Sequence, residues 1–182
     1  MSEEFALPIE WPKWPKVPAC YGWLSLDRRG NWRLKGDLVR HRGLADYLNS
    51  HYAADAQGNW LVSNGPQAVY VALDYVPLVW RLMETGLFAH AGHIRGTPRS
   101  VYIDESGSIL FACPEGIGLL HDQDLADFAG ELCDNQGQVA TDEELASASL
   151  GCAVLNWRGM PLIPIRSEDV PGRFGFNPDP KP

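Results

Sequence analysis

With 182 residues, 20.2 kDa and 45% hydrophobic content, the chain has the size of one ordinary domain or two small ones and enough apolar residues to bury a core. Fifteen Lys and Arg against 23 Asp and Glu leave a net charge of -8, which repels phosphate backbones and sets general nucleic-acid binding aside. No run approaches the ~18 to 20 apolar residues of a membrane span, and the opening Met1-Ser-Glu-Glu4 lacks the basic and apolar regions of a secretory signal, so a soluble cytoplasmic protein without membrane contact is expected.

Residues 1–20 read as a Pro/Trp-rich extended arm. Pro8, Pro12, Pro15 and Pro18 remove amide donors and fix φ, which excludes a helix or a central strand. Trp-Pro-Lys occurs twice in 11–16, and its three-residue spacing sets Trp11 and Trp14 on one face of a polyproline-like helix. Burying a large side chain is worth ~1.5–3 kcal/mol. The two tryptophans are therefore expected to dock, on their own domain or on a second copy, and are the candidate partner-binding residues.

A first motif is assigned to 21–99. Apolar runs at 21–26 and 32–39 flank a turn at 27–31 and predict a β-hairpin. Leu44, Tyr47, Leu48 and Tyr52 follow at i, i+3, i+4 and i+8, the stripe of an amphipathic helix. A second turn at 55–58 leads to strands at 60–63 and 68–73, where Val69, Val71 and Leu73 alternate with Ala68, Tyr70 and Ala72.

A second motif is assigned to 100–160. It has a hairpin of 101–103 with 109–112, and a helical stripe of Leu125, Phe128, Ala129 and Leu132 with Asp122 or Gln123 as its cap. Residues 143–149 read as more helical than the strands of the first copy, and 153–157 as a strand. In 161–182, Pro164, Pro171, Pro178 and Pro180 predict an irregular tail over the surface, with only 162–165 apolar enough to pack.

The two motifs look like copies of each other. Asp27-Arg-Arg-Gly30-Asn-Trp32 returns as Asp104-Glu-Ser-Gly107-Ser-Ile109, Leu44-Ala-Asp-Tyr47 as Leu125-Ala-Asp-Phe128, and Asp55-Ala-Gln-Gly58 as Asp134-Asn-Gln-Gly137, in the same order and at nearly the same offset. One D-x-x-G is only a tight-turn signature, since Asp caps the turn and Gly supplies positive φ; the ordered recurrence carries the weight. The expected architecture is α+β, two tandem copies of a hairpin-helix-strand motif on mainly antiparallel sheet.

Gly30-Asn-Trp32, Gly43-Leu44, Asp55-x-x-Gly58-x-Trp60 and Val69-x-Val71-x-Leu73, followed by Pro77 and Trp80, resemble the uncharacterised domain-of-unknown-function families of proteobacteria that carry a β-rich motif and a helix twice in tandem. The resemblance covers about 21–82 directly. It implies an α+β fold of repeated motifs and a bacterial role in signal transduction or small-ligand sensing. It brings no catalytic residues with it, and the Trp-Pro-Lys arm lies outside it.

Cys20, Cys113, Cys133 and Cys152 stand far apart in the chain, without the C-x-x-C pairs of a zinc knuckle or redox dithiol, and read as reduced, mostly buried thiols. His90-Ala-Gly-His93 is the one close histidine pair; H-E-x-x-H is absent, and a metal site would need Cys113 or His121 brought to it by the fold. Beside that pair, Arg95 and Arg99 offer donors for a small anion. There is no G-x-S-x-G elbow and no phosphate-binding loop, and Gly116-Ile-Gly118 lacks the third glycine of a dinucleotide fingerprint, so no cofactor is expected.

Charge is split along the chain. Residues 27–52 hold six Lys and Arg against three Asp, a net +3, whereas 100–157 hold eleven acids and no Lys or Arg. Two solvated faces explain this, or else the copies attract each other within the chain or in a head-to-tail homodimer. Seven tryptophans exceed the ordinary need of a core this size, and Arg40, His41 and Arg81 mark where a partly exposed subset would meet a ligand.

The sequence thus points to a binding or sensory module for a small molecule or a protein partner, with a groove between the copies as its natural site. Candidate ligand-binding residues are Arg40, His41, Arg81, His90, His93 and Arg95. The alternatives are an enzyme with an unrecognised site, metal-assisted through His90, His93 and Cys113, and a structural interaction protein.

Overall fold

The computed structural model describes residues 17–84 and 86–182. The arm tryptophans Trp11 and Trp14 lie outside the described residues. Within them the architecture is mixed α+β, with two sheets and few helices.

The first sheet holds β1 (Ala19–Leu26), β2 (Trp32–Leu34), β3 (Asp37–Leu38), β4 (Tyr52–Ala54), β5 (Trp60–Asn64) and β6 (Gln67–Leu73), ordered β3-β2-β1-β6-β5-β4. Helix α1 (Arg42–Ser50) joins β3 to β4, burying Leu44 and Leu48. Tyr52, which its i+8 spacing assigned to the helix stripe, is instead the first residue of β4. Its ring is buried in either assignment, so the spacing could not separate helix from strand.

The second sheet holds β7 (Leu78–Met83), β8 (Gly86–Ala89), β9 (Arg95–Gly96), β10 (Ser100–Ile103), β11 (Ile109–Cys113), β12 (Gly116–Leu120), β13 (Leu132–Cys133), β14 (Asn156–Trp157) and β15 (Met160–Pro164). Its order is β13-β14-β15-β10-β11-β12-β7-β8-β9. Helices α2 (Leu125–Gly130) and α3 (Asp142–Ser149) lie between β12 and β14, and α4 (Val170–Phe174) follows β15. Most pairs are antiparallel, but β1 with β6, β10 with β15, and β12 with β7 run parallel.

Local chemistry explains these elements. In α3, Glu144 N donates to Thr141 Oγ1 at 3.2 Å and Thr141 N donates to Glu144 Oε2 at 2.8 Å, a capping box that settles 143–149 as helix. Leu132, counted with the second helix stripe, begins β13 instead. Neither Asp122 nor Gln123 caps α2: His121 Nδ1 accepts from Gln123 N and starts a 3-10 turn ahead of it. Gly118 stands against Trp80, whose indole nitrogen a Cβ at Gly118 would strike, so this glycine serves strand packing.

One contiguous core spans both sheets, from Cys20 and Leu24 to Trp157 and Phe176. The proline-rich tail, expected to be irregular, supplies β15 and α4 and buries Val170 and Phe176. Asn177 N donates to Gly58 O at 2.9 Å and Leu73 N to Pro178 O at 2.8 Å, so the 55–58 turn and strand β6 pair the backbone of the tail.

Candidate functional site

Among the described residues, four turns of one kind punctuate the chain. At 27–31, Asp27 Oδ1 accepts from Arg29 N and Asn31 N, both at 2.9 Å. Asp55, Asp104 and Asp134 each accept from the residues two and four further on in the same way. The glycine at the fourth position has positive φ, +77° at Gly30 and +80° at Gly107, which closes the turn at little steric cost. Each turn presents the two residues between Asp and Gly, and in the first these are Arg28 and Arg29.

The 27–31 and 104–108 turns meet at the junction of the two sheets. Arg28 Nη2 donates to Ser108 Oγ at 2.8 Å, and Arg29 Nη2 pairs with Asp122 Oδ2 at 2.6 Å. The basic segment thus engages the acidic one within the chain at this point. Between the turns lies a groove of about 330 Å³, with Arg28 and Arg29 on one wall, Ser106 to Ser108 on another, and Ile109, Leu119 and Leu120 beneath. Its floor is buried while its arginines are exposed.

A buried relay holds one of these arginines. Asp104 is 1% exposed; besides capping its turn it accepts from Tyr75 Oη at 2.9 Å through Oδ2. Burial, and next the Asp104 carboxylate, raise the Tyr75 hydroxyl well above its ordinary value, so it stays a donor. The Arg28 guanidinium lies over the Tyr75 ring, 4.6 Å from its centroid.

The residues singled out by sequence are dispersed. Arg40 is exposed before α1, and His41 caps that helix, its Nδ1 accepting from Leu44 N at 3.2 Å. Arg81 is committed: Nε and Nη2 donate to Asp124 at 2.7 and 2.9 Å, and Asp124 also accepts from Leu82 N. That pairing holds the Asp124 carboxyl below its ordinary range against the opposing effect of burial. Arg95 stacks on Phe88 and His93 is exposed in the β8–β9 turn. None of these lines the groove.

His90 sits beneath the 27–31 turn. Its ring packs edge-on against Trp32 and tilted against Tyr52, and Nδ1 accepts from Val79 N at 3.3 Å. Nε2 is buried and has no partner among the described residues. Burial, and secondarily His93, push the imidazole down to about 3, while Asp27 pulls it upward. Cys113 is driven up to about 12 by burial and then by Glu115, so the thiol stays protonated at neutral pH. Among the described residues no group of three or more His, Cys, Asp and Glu is assembled around a metal position, the set His90, His93 and Cys113 included.

Sequence reasoning did not reach the residues of this groove. The doubled arginine between Asp27 and Gly30 was the available signal; its partners Ser108 and Asp122 lie far along the chain and carried none.

The fold and groove define an α+β protein of two sheets sharing one core, and a solved structure has this fold. It is a DUF1285 family protein from Silicibacter pomeroyi DSS-3, with a TM-score of 0.54 and 11% identity over 86% of each chain. A DUF1285 family protein from Shewanella baltica OS155 aligns with a TM-score of 0.41 and 15% identity over 59% of this chain and 90% of its own. No curated protein matches. Residues 10–181 match the DUF2944 family, described as "Protein of unknown function (DUF2946)", and the chain belongs to that family.

Proposed function

We propose that the protein is a cytoplasmic binding or sensory module that takes a small molecule in the groove between the 27–31 and 104–108 turns. The observation that carries this reading is the meeting of two exposed guanidiniums with a buried apolar floor at the junction of two sheets. Pockets favour such junctions, and a few polar groups around an apolar floor supply orientation.

We further propose that the chain is two copies of one motif in tandem, which makes the groove an interface between copies. Supporting this, the strand that opens each Asp-capped hairpin, β1 or β10, pairs in parallel with a strand beyond the following helix, β6 or β15. The strand orders β2-β1-β6-β5-β4 and β11-β10-β15-β14-β13 also correspond.

The test is a thermal-shift panel of metabolites on the wild type and on Ser106→Trp, which fills the groove from an exposed turn. A ligand at a hundredfold excess over its Kd stabilises the folded state by about 2.7 kcal/mol. A stabilising compound whose effect vanishes in Ser106→Trp supports the reading. A compound that stabilises both proteins equally places binding elsewhere, and silence in both favours a protein partner.

A further inference from the structure

We propose that the ligand of this groove is an amphipathic organic acid, one carboxylate or phosphate group on an apolar body. The inference deepens the groove reading and rests on it.

The cationic wall is built for display. A surface arginine ordinarily loses rotamer freedom when it binds. Arg28 is already held, over the Tyr75 ring and bonded to Ser108, while Tyr75 is held by a carboxylate that is itself buried and bonded to its own turn. A guanidinium carries about five N–H donors. Among the described residues Arg28 gives one of them away and Arg29 gives one to Asp122, so both keep donors for an oxyanion.

Asp122 shows what the wall accepts. A carboxylate oxygen already stands 2.6 Å from Arg29, and both partners are well exposed, at 66% and 43% of their side chains. An exposed pair of this kind is weak, screened by solvent and salt. A ligand acid can therefore share or replace Asp122 at little cost, and Arg28 beside it supplies a second fork.

The floor sets the rest of the ligand. Leu125 is 37% exposed at the edge, beside the buried Ile109, Leu119 and Leu120, so a bare anion would leave this apolar edge wet while a neutral apolar compound would leave the arginines unanswered. Only a molecule with both parts satisfies both walls.

The test is an amide NMR titration of the full chain with phenyl phosphate, benzoate, phenol and inorganic phosphate. Phenyl phosphate or benzoate should shift signals of 28–31, 106–109 and 119–125 and bind at least tenfold more tightly than phenol or inorganic phosphate. The better of the two acids identifies the headgroup. The double variant Arg28→Gln/Arg29→Gln should weaken that binding about tenfold, and Asp122→Asn, which releases Arg29, should strengthen it severalfold. Equal binding of phenol and phenyl phosphate at these signals would overturn the acid class and leave the groove reading standing. Inorganic phosphate binding as well as phenyl phosphate would reduce the site to a simple anion site. Unmoved groove signals with every probe, on a spectrum that remains folded, would overturn the groove reading itself.

Discussion

Arg29 Nη2 and Asp122 Oδ2 lie 2.6 Å apart across the junction of the two sheets, one on the first Asp-capped turn and the other just after β12. Both are too exposed for this pair to hold the sheets together, a task left to the shared core. Asp122→Asn should lower stability by no more than about 1 kcal/mol, or roughly 2–4 °C in Tm for a chain of this size. A loss several times larger in a thermal melt would make the pair a structural clasp.

The turn glycines separate two costs that are usually confounded. Gly30 and Gly137 share nearly the same φ, +77° and +80°, but a Cβ on Gly30 would lie 2.5 Å from His90 Cβ whereas nothing lies within 4 Å of one on Gly137. Gly137→Ala should cost only the left-handed backbone penalty, ~1–2 kcal/mol. Gly30→Ala adds an overlap with a packed ring and should cost at least ~1 kcal/mol more. Urea denaturation of both variants checks the order; equal losses would mean that His90 yields freely.

His90 makes stability depend on acidity. Its folded-state value is down near 3, against an ordinary 6.5, so the unfolded chain takes up a proton between these values and the folded chain does not. Stability from the neutral ring is present above about pH 6.5 and falls as pH drops toward 3, at up to ~1.4 kcal/mol per unit. His90→Gln should flatten the stability profile between pH 6.5 and 4.5, above the carboxylate range. An unchanged slope would assign the proton to another group.

Arg81 is a structural cation. Removing it leaves Asp124, 5% exposed, with the Leu82 amide as its one side-chain donor among the described residues, and Arg81→Ala should destabilise by about 1–3 kcal/mol, below the full cost of a buried pair because Arg81 is itself 43% exposed on its side chain. Asp124 has a lowered folded-state value, so its contribution is present above the ordinary carboxylate range and is lost as pH falls through it. In Arg81→Ala that acid-side loss should shrink. If chemical denaturation curves at neutral pH superimpose, the ion pair contributes nothing.

The parts of the fold legible in the sequence were those fixed by neighbours. The Asp-capped turns at 27–31, 55–59, 104–108 and 134–138 each depend on one carboxylate reaching amides two and four residues away, a purely local contact, although the same D-x-x-G spacing at Asp127–Gly130 and Asp169–Gly172 falls in helical segments. The α1 stripe and the β6 alternation are likewise local periods. Tyr52 and Leu132 misled because strands β4 and β13 begin directly after a helix, where an apolar residue continues the helical spacing by coincidence. The tail's order was hidden because its hydrogen bonds are made to Gly58 and Leu73, more than a hundred residues earlier.

The site was harder to read for the same reason. Arg81 looked available because nothing near it in sequence claims it, yet Asp124, distant in the chain, does. Arg28 and Arg29 looked like ordinary turn residues until Ser108 and Asp122 were folded against them. His90 advertised a metal ligand by its spacing to His93, whereas burial among Trp32, Tyr52 and Val79 makes it part of the support beneath the arginine turn.

The central claim is that the junction of the 27–31 and 104–108 turns is a ligand site. It is tested most directly by methyl NMR of Ile109, Leu119, Leu120 and Leu125 while a compound that stabilises the protein is added. These four methyl sets should shift together and saturate with one Kd, and Ser106→Trp should abolish the response. Saturable binding of that compound with all four sets unmoved would contradict the claim and send the search for the site elsewhere on the molecule.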